Sequence, residues 1–167
     1  MQIKWVESGG GPLILVPTAH LSQWRGVGGP SEGETDYQRA CEVADSVGVV
    51  AVGSGDGLIL GDEPLPTAWV PNESGGGVLV RWVYADSEAA VVDYIRGGGQ
   101  NDVVPESGTS VDLAGPCVLF DAAEPGDDIR GDHVAVGLRS GRYVVTSALV
   151  DVSPETRILV HQVLRTP

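Results

Sequence analysis

The stretch WVESGGGPLILVP, residues 5–17, decides how the fold of this chain begins. A short apolar strand is predicted at 5–7 and an aliphatic strand at 13–16, with three glycines and Pro12 between them. A phosphate-binding loop needs its glycines followed by Lys-Ser/Thr and by a helix whose N-terminus faces the phosphate. No lysine follows here and a strand begins instead, so the glycines predict a bend between two strands.

Outward from this bend, the sequence predicts an α+β fold of mostly antiparallel strands with two helices, as a partly closed sheet or two packed sheets. The first helix is predicted over 36–47, capped by Thr35 or Asp36 and ended by Gly48. The second is predicted over 86–96, with Asp86 as its cap. Further strands are predicted at 49–52, 58–60, 67–70, 78–84, 117–120, 133–138, 142–150 and 157–165, with a tight hairpin turn at Ser140-Gly141.

The length of 167 residues suits a single domain, 1–167. Within it, the pattern divides a two-helix N-terminal part, about 1–96, from an all-strand C-terminal part, about 111–167. The polar segment 100–110 is predicted to be a mobile connection between the two parts. The predicted core consists of Leu15, Val50, Leu60, Val80, Trp82, Val92, Leu119, Val136, Val144 and Val160.

Acidity is the strongest compositional signal. Asp and Glu number 23 against 10 Lys and Arg, and the net charge is −13. This argues against a nucleic-acid partner, whose phosphates need a basic surface, and against an anionic membrane. It favours a basic protein partner, because opposite fields accelerate encounter, although acidity also serves solubility alone. No signal peptide or membrane-spanning run is recognised, so a cytoplasmic location is expected.

Two acidic clusters are the candidate binding residues. Asp62 and Glu63 precede Pro64, and the loop 122–132 carries Glu124, Asp127, Asp128 and Asp132. The spacing in EPGDDIRGDH lacks the regular pattern of a calcium loop, so no metal site is predicted. No cofactor loop is recognised, and no catalytic residue is predicted because the three histidines are far apart in sequence and no GxSxG elbow is present. The loop is then either a solvated acidic segment, a weak cation site, or a surface that docks onto a basic protein.

Trp24 is a candidate of another kind. It lies beside Arg25 in a glycine-rich loop, where a tryptophan is either an interface anchor or a cap on the core. The sequence leaves both roles open. The candidate partner-binding residues are therefore Asp62, Glu63, Glu124, Asp127, Asp128, Asp132 and Trp24.

Several of these stretches together resemble a known family. WVESGGGPLILVP, LSQWRG, DYQRACEV, GLILGDEPLPTAWVP and LVRWVYADSE resemble the immunity protein 21 (Imm21) family of bacterial polymorphic toxin systems. CVLFDAAEPGD, GRYVVTSALV and LVHQVL resemble its C-terminal part more loosely. The resemblance implies a non-enzymatic cytoplasmic antidote that binds a cognate toxin domain and blocks its active site or substrate path. It implies no catalytic residues.

Two alternatives from other functional classes stay open. One is a small hydrolase-like enzyme that uses the acidic residues near Asp127 to His133, which would require paired carboxylates in a deep pocket. The other is a regulatory module that binds an endogenous protein. An adjacent toxin gene would distinguish the antidote from this module.

Overall fold

The computed structural model describes residues 2–29, 32–61, 63–105 and 107–167, with the side chain of Ser107 left aside. The helices are α1 (Asp36–Cys41) and α2 (Glu88–Arg96), and two 3₁₀ turns span Thr18–Gln23 and Gly99–Asp102. The strands are β1 (Trp5–Val6), β2 (Leu13–Pro17), β3 (Val47–Val52), β4 (Gly55–Leu60), β5 (Thr67–Pro71), β6 (Gly77–Tyr84), β7 (Ser107–Ala114), β8 (Cys117–Asp121), β9 (His133–Val136), β10 (Ser140–Ser153) and β11 (Thr156–Arg165).

The strands form two sheets with antiparallel pairing. The six-stranded sheet has the order β1-β5-β6-β11-β10-β7, and the five-stranded sheet has the order β3-β4-β2-β8-β9. The predicted fold class is confirmed, in its form with two sheets. Each sheet takes strands from before and after the segment 100–110.

The two helices and the two sheets form four layers, and apolar side chains are buried in three clusters between them. Leu15, Leu60 and Leu119 of the five-stranded sheet meet Tyr143 and Val145 of the six-stranded sheet in the central cluster. A second cluster lies on the outer face of the five-stranded sheet, where Trp24 and the α1 residue Ala40 cover it. A third lies between the six-stranded sheet and Val91 and Ile95 of α2. Because both faces of β2 are covered, its five residues are all buried, which explains its continuous apolar run.

The expected core is largely present. Leu15, Leu60, Val80, Leu119, Val136 and Val160 are buried, whereas Val50, Trp82, Val92 and Val144 are half-buried. Val50 and Trp82 pack at the margins of the two outer clusters rather than between the sheets.

The glycine stretch forms the bend that the sequence predicts, and it carries the chain from one sheet to the other. Gly10 has a φ of 136°, which glycine adopts without strain. The Gly9 N–H donates to Asp121 Oδ2 at 2.9 Å, which ties the bend to the end of β8. A Cβ at Gly11 would collide with the Tyr37 hydroxyl, so this position has no room for a side chain.

Both predicted helices differ from the structure at one end. Helix α1 keeps the predicted Thr35 cap but ends at Cys41, because Val47 and the residues after it pair with β4 instead of extending the helix. Gly48 therefore lies inside β3. Helix α2 begins one residue after its cap Ser87, rather than at the predicted Asp86 cap.

The C-terminal half contains two further corrections. The hairpin predicted at Ser140-Gly141 is wrong, because β9 and β10 belong to different sheets and both residues lie in β10, paired with Ala114 and Leu113. The segment predicted as a connection ends in β7. That strand buries Val111 and Leu113 on one face and exposes Asp112 on the other.

Candidate functional site

The acidic loop, residues 122–132, is held in place by its own hydrogen bonds. Glu124 Oε1 accepts from the backbone N–H groups of Arg130 and Gly131, both at 2.9 Å. The Gly126 N–H donates to the Trp24 carbonyl at 2.8 Å, so the loop folds back over the outer face of the five-stranded sheet. Glu124 thus supports the loop from within, and the loop presents its other carboxylates from a fixed backbone.

Those other carboxylates face solvent. Asp127, Asp128 and Asp132 are all exposed. Asp128 pairs with Arg130 at 2.9 Å, and this hydrogen bond is the main reason that the pKa of Arg130 is raised above its ordinary value. An ion pair this exposed contributes little to stability, so it leaves the loop available to a partner.

Strand register brings the second acidic cluster to the same end of the five-stranded sheet. Leu13, the first residue of β2, pairs with Leu60 at the end of β4 and with Asp121 at the end of β8. The segment that follows β4 and the loop that follows β8 therefore leave the sheet at the same end, on either side of β2. Glu63 is exposed in that segment, and Asp62 lies outside the described residues.

Two acidic residues that the sequence analysis did not select also lie at this end. Glu42 and Asp45 are exposed between α1 and β3, whose first residue, Val47, pairs with Leu60. The overlong helix prediction concealed them, since it placed both on a helix surface. The turn formers Asp45 and Ser46 were the signal in the sequence that the helix ends before them. We call Glu42, Asp45, Glu63, Asp127, Asp128 and Asp132 the acidic surface.

Like charges approach one another beside this surface. The pKa of Glu34 is raised, first because its carboxyl shares a hydrogen bond with Glu42, then through desolvation and repulsion from the same residue. The pKa of Tyr37 is raised by a hydrogen bond with Cys41, then by burial, with smaller contributions from the charges of Cys41 and Asp121. A cationic group placed beside Glu34 and Glu42 would relieve the repulsion between their carboxylates.

A cleft of about 390 Å³ opens between the glycine bend, α1 and the segment after β4. Its lining includes Tyr37, Cys41 and Glu63. Glu63 is the one carboxylate among the described residues of this lining. Asp127 and Asp128 are exposed on the acidic loop instead, and His133 is exposed at the start of β9.

Trp24 is a core residue. Its side chain is fully buried, and Nε1 donates to the Ala122 carbonyl at 2.9 Å. The Arg39 guanidinium lies 5.6 Å from the centre of its ring. Of the two roles that the sequence left open, the structure supports the core cap, and it corrects the interface anchor because no side-chain surface of Trp24 is exposed.

Arg81 is a further residue of this region that sequence reasoning missed. Its position in an apolar strand was visible, but the side chain crosses from β6 to the end of the five-stranded sheet, and that contact depends on how the sheets pack. It is fully buried, with Nη1 3.0 Å from the Gly61 carbonyl and Nη2 2.6 Å from that of Glu63.

Two further findings concern metal binding and membrane spanning. Among the described residues, His, Cys, Asp and Glu form no group of three or more that could hold a metal ion. The helices within the described ranges are too short or too polar to span a bilayer.

The comparisons with known proteins give one match. The family model described as "Immunity protein 21" matches residues 4–156, which is nearly the whole chain. No curated protein and no solved structure matches the sequence.

Proposed function

Since the chain belongs to the immunity protein 21 family, we propose that it binds a cognate bacterial toxin domain in the cytoplasm and neutralises it by stoichiometric occlusion. The observation that carries this proposal is the family match over residues 4–156. In this role the protein needs no catalytic residue, because a partner that covers the active site or substrate path of the toxin blocks the toxin directly.

We propose the acidic surface as the part of the chain that meets the toxin. Its six carboxylates are exposed and belong to three connections at or near one end of the five-stranded sheet. The net charge of −13 adds a long-range field of the same sign. Such a field steers a basic partner and raises its association rate, so the toxin domain is expected to be basic.

The proposal is tested with the toxin encoded beside this gene. Co-expression should abolish toxicity, and the purified proteins should form a complex of fixed stoichiometry. Titration of the immunity protein should reduce the toxin's own activity linearly to an equivalence point. Failure of the purified pair to associate at both low and high salt would contradict the proposal, because loss of steering alone changes the rate and not the existence of a complex.

A further inference from the structure

Arg81 makes an unusual connection between the two sheets. It lies in β6, opposite Thr67 of β5 and Leu159 of β11, and its side chain is fully buried. The guanidinium donates across the molecule to three backbone carbonyls: those of Gly61 at 3.0 Å, Ser46 at 3.5 Å and Glu63 at 2.6 Å. A side chain of the six-stranded sheet thus contacts the acidic end of the other sheet.

Those carbonyls belong to two of the connections that carry the acidic surface. Ser46 follows Asp45 between α1 and β3, and Glu63 lies between β4 and β5. The Gly61 N–H also donates to the Ser46 carbonyl at 3.0 Å, which joins the two connections to each other. Arg81 therefore joins the two connections to each other and to the six-stranded sheet.

A buried guanidinium is an energetically unfavourable way to fill a core position. Removing a guanidinium from water costs several kcal/mol, and an apolar side chain of similar volume is often as stable or more stable. The guanidinium supplies the two connections with a fixed fork of donors, which an apolar side chain lacks.

We infer that Arg81 is a positioning residue, which holds Asp45 and Glu63 in the arrangement that the toxin meets. This inference rests on the proposed function. It assigns the pre-organisation of the acidic surface to a residue that has no exposed atoms and does not contact the partner itself.

The test compares Arg81→Met with Arg142→Met. Both changes remove one positive charge, but Arg142 is exposed at the opposite end of the six-stranded sheet and pairs with Asp112. Simple electrostatics predicts that either change speeds association with a basic toxin. We expect R81M alone to dissociate roughly tenfold faster, because loss of pre-organisation appears mainly in the dissociation rate.

Hydrogen exchange of the chain without toxin gives an independent measurement. The amides of Gly61 and Leu65, which donate to the Ser46 and Glu63 carbonyls, should exchange about tenfold faster in R81M and unchanged in R142M. If R81M does not fold, R81K keeps the charge with a single donor group, and should show a smaller change in the same direction. If R81M, or R81K in its place, matches R142M in both measurements, the assignment is overturned. If the wild-type chain does not bind toxin, the proposed function fails instead.

Discussion

At the scale of single residues, Gly126 decides where the acidic loop lies. A Cβ at this position would collide with the Leu21 carbonyl, so Gly126→Ala must move the loop away from the Trp24 segment. We expect it to lower the free energy of unfolding by about 1–3 kcal/mol, as other overpacked sites do. Urea unfolding of Gly137→Ala is the control, since a Cβ there meets nothing within 4 Å. Equal midpoints for the two variants would show that the loop does not need this contact.

His161 gives the chain a pH-dependent stability. Burial, and then the charge of Arg81, lowers the pKa of His161 from 6.5 to about 3, while Nδ1 lies 2.7 Å from Ser147 Oγ. Below pH 6.5 the unfolded chain binds a proton at His161 that the folded chain does not bind. The contribution of His161 to the free energy of unfolding is therefore complete above pH 6.5. It is lost as the pH falls towards 3, by at most about 1.4 kcal/mol per pH unit.

In the window between pH 6.5 and about 5, the lowered pKa values of Asp112 and Asp151 have little effect, since they act at more acidic pH, and the raised pKa of Glu34 gives a slope of the opposite sign. Urea unfolding across it should show a positive slope of stability with pH in the wild type and a nearly flat line in His161→Gln. His133→Gln removes an exposed histidine and should keep the wild-type slope. The same slope in His161→Gln would mean that another group is responsible.

At the scale of elements, the acidic loop should act on the rate of encounter with the toxin. Asp127→Lys reverses an exposed charge on the acidic surface, and we expect association at low salt to slow by roughly two- to tenfold. The loss should shrink as salt rises, because exposed charges are screened. Stopped-flow measurement over a salt series tests this.

Glu73→Lys is the matched control for that change. It makes the same charge reversal in the exposed β5–β6 turn, at the end of β6 away from Arg81. A variant that acts only through net charge would slow association equally at both positions. In that case Asp127 has no special place in the interface.

The elements also show which parts of the fold were accessible from the sequence. The β2 run, the β3–β4 hairpin and β11 were predictable, because their apolar patterns and turns are local signals. The end of α1 and the strand β7 were not, since long-range pairing with β4 and β10 decides them. The acidic loop was visible in the sequence for the same local reason. Its departure from the same end of the sheet as the Glu63 segment, and the contacts of Arg81, depend on register and sheet packing, which the sequence does not display.

At the scale of the whole molecule, both sheets depend on strands from distant parts of the chain. In the six-stranded sheet, β6 pairs with β11, so that Val80 lies opposite Val160. In the five-stranded sheet, β2 pairs with β8, so that Leu15 lies opposite Leu119. The central cluster draws on all four of these strands. A break near residue 102 lies outside every strand. It would therefore distribute the strands of both sheets between two fragments and leave each strand whole.

We predict that fragments 1–102 and 103–167 are each unable to fold alone and that together they restore the native structure. Either fragment by itself would expose unpaired strand edges and half of the central cluster to water. Circular dichroism of the separate fragments should show no cooperative thermal transition, and an equimolar mixture should recover one, at a midpoint that rises with concentration. The intact chain, whose midpoint is independent of concentration if it is a monomer, is the control. A cooperative transition in either isolated fragment would show that one part holds a sufficient core of its own, and that the acidic surface can be assembled without its partner strands.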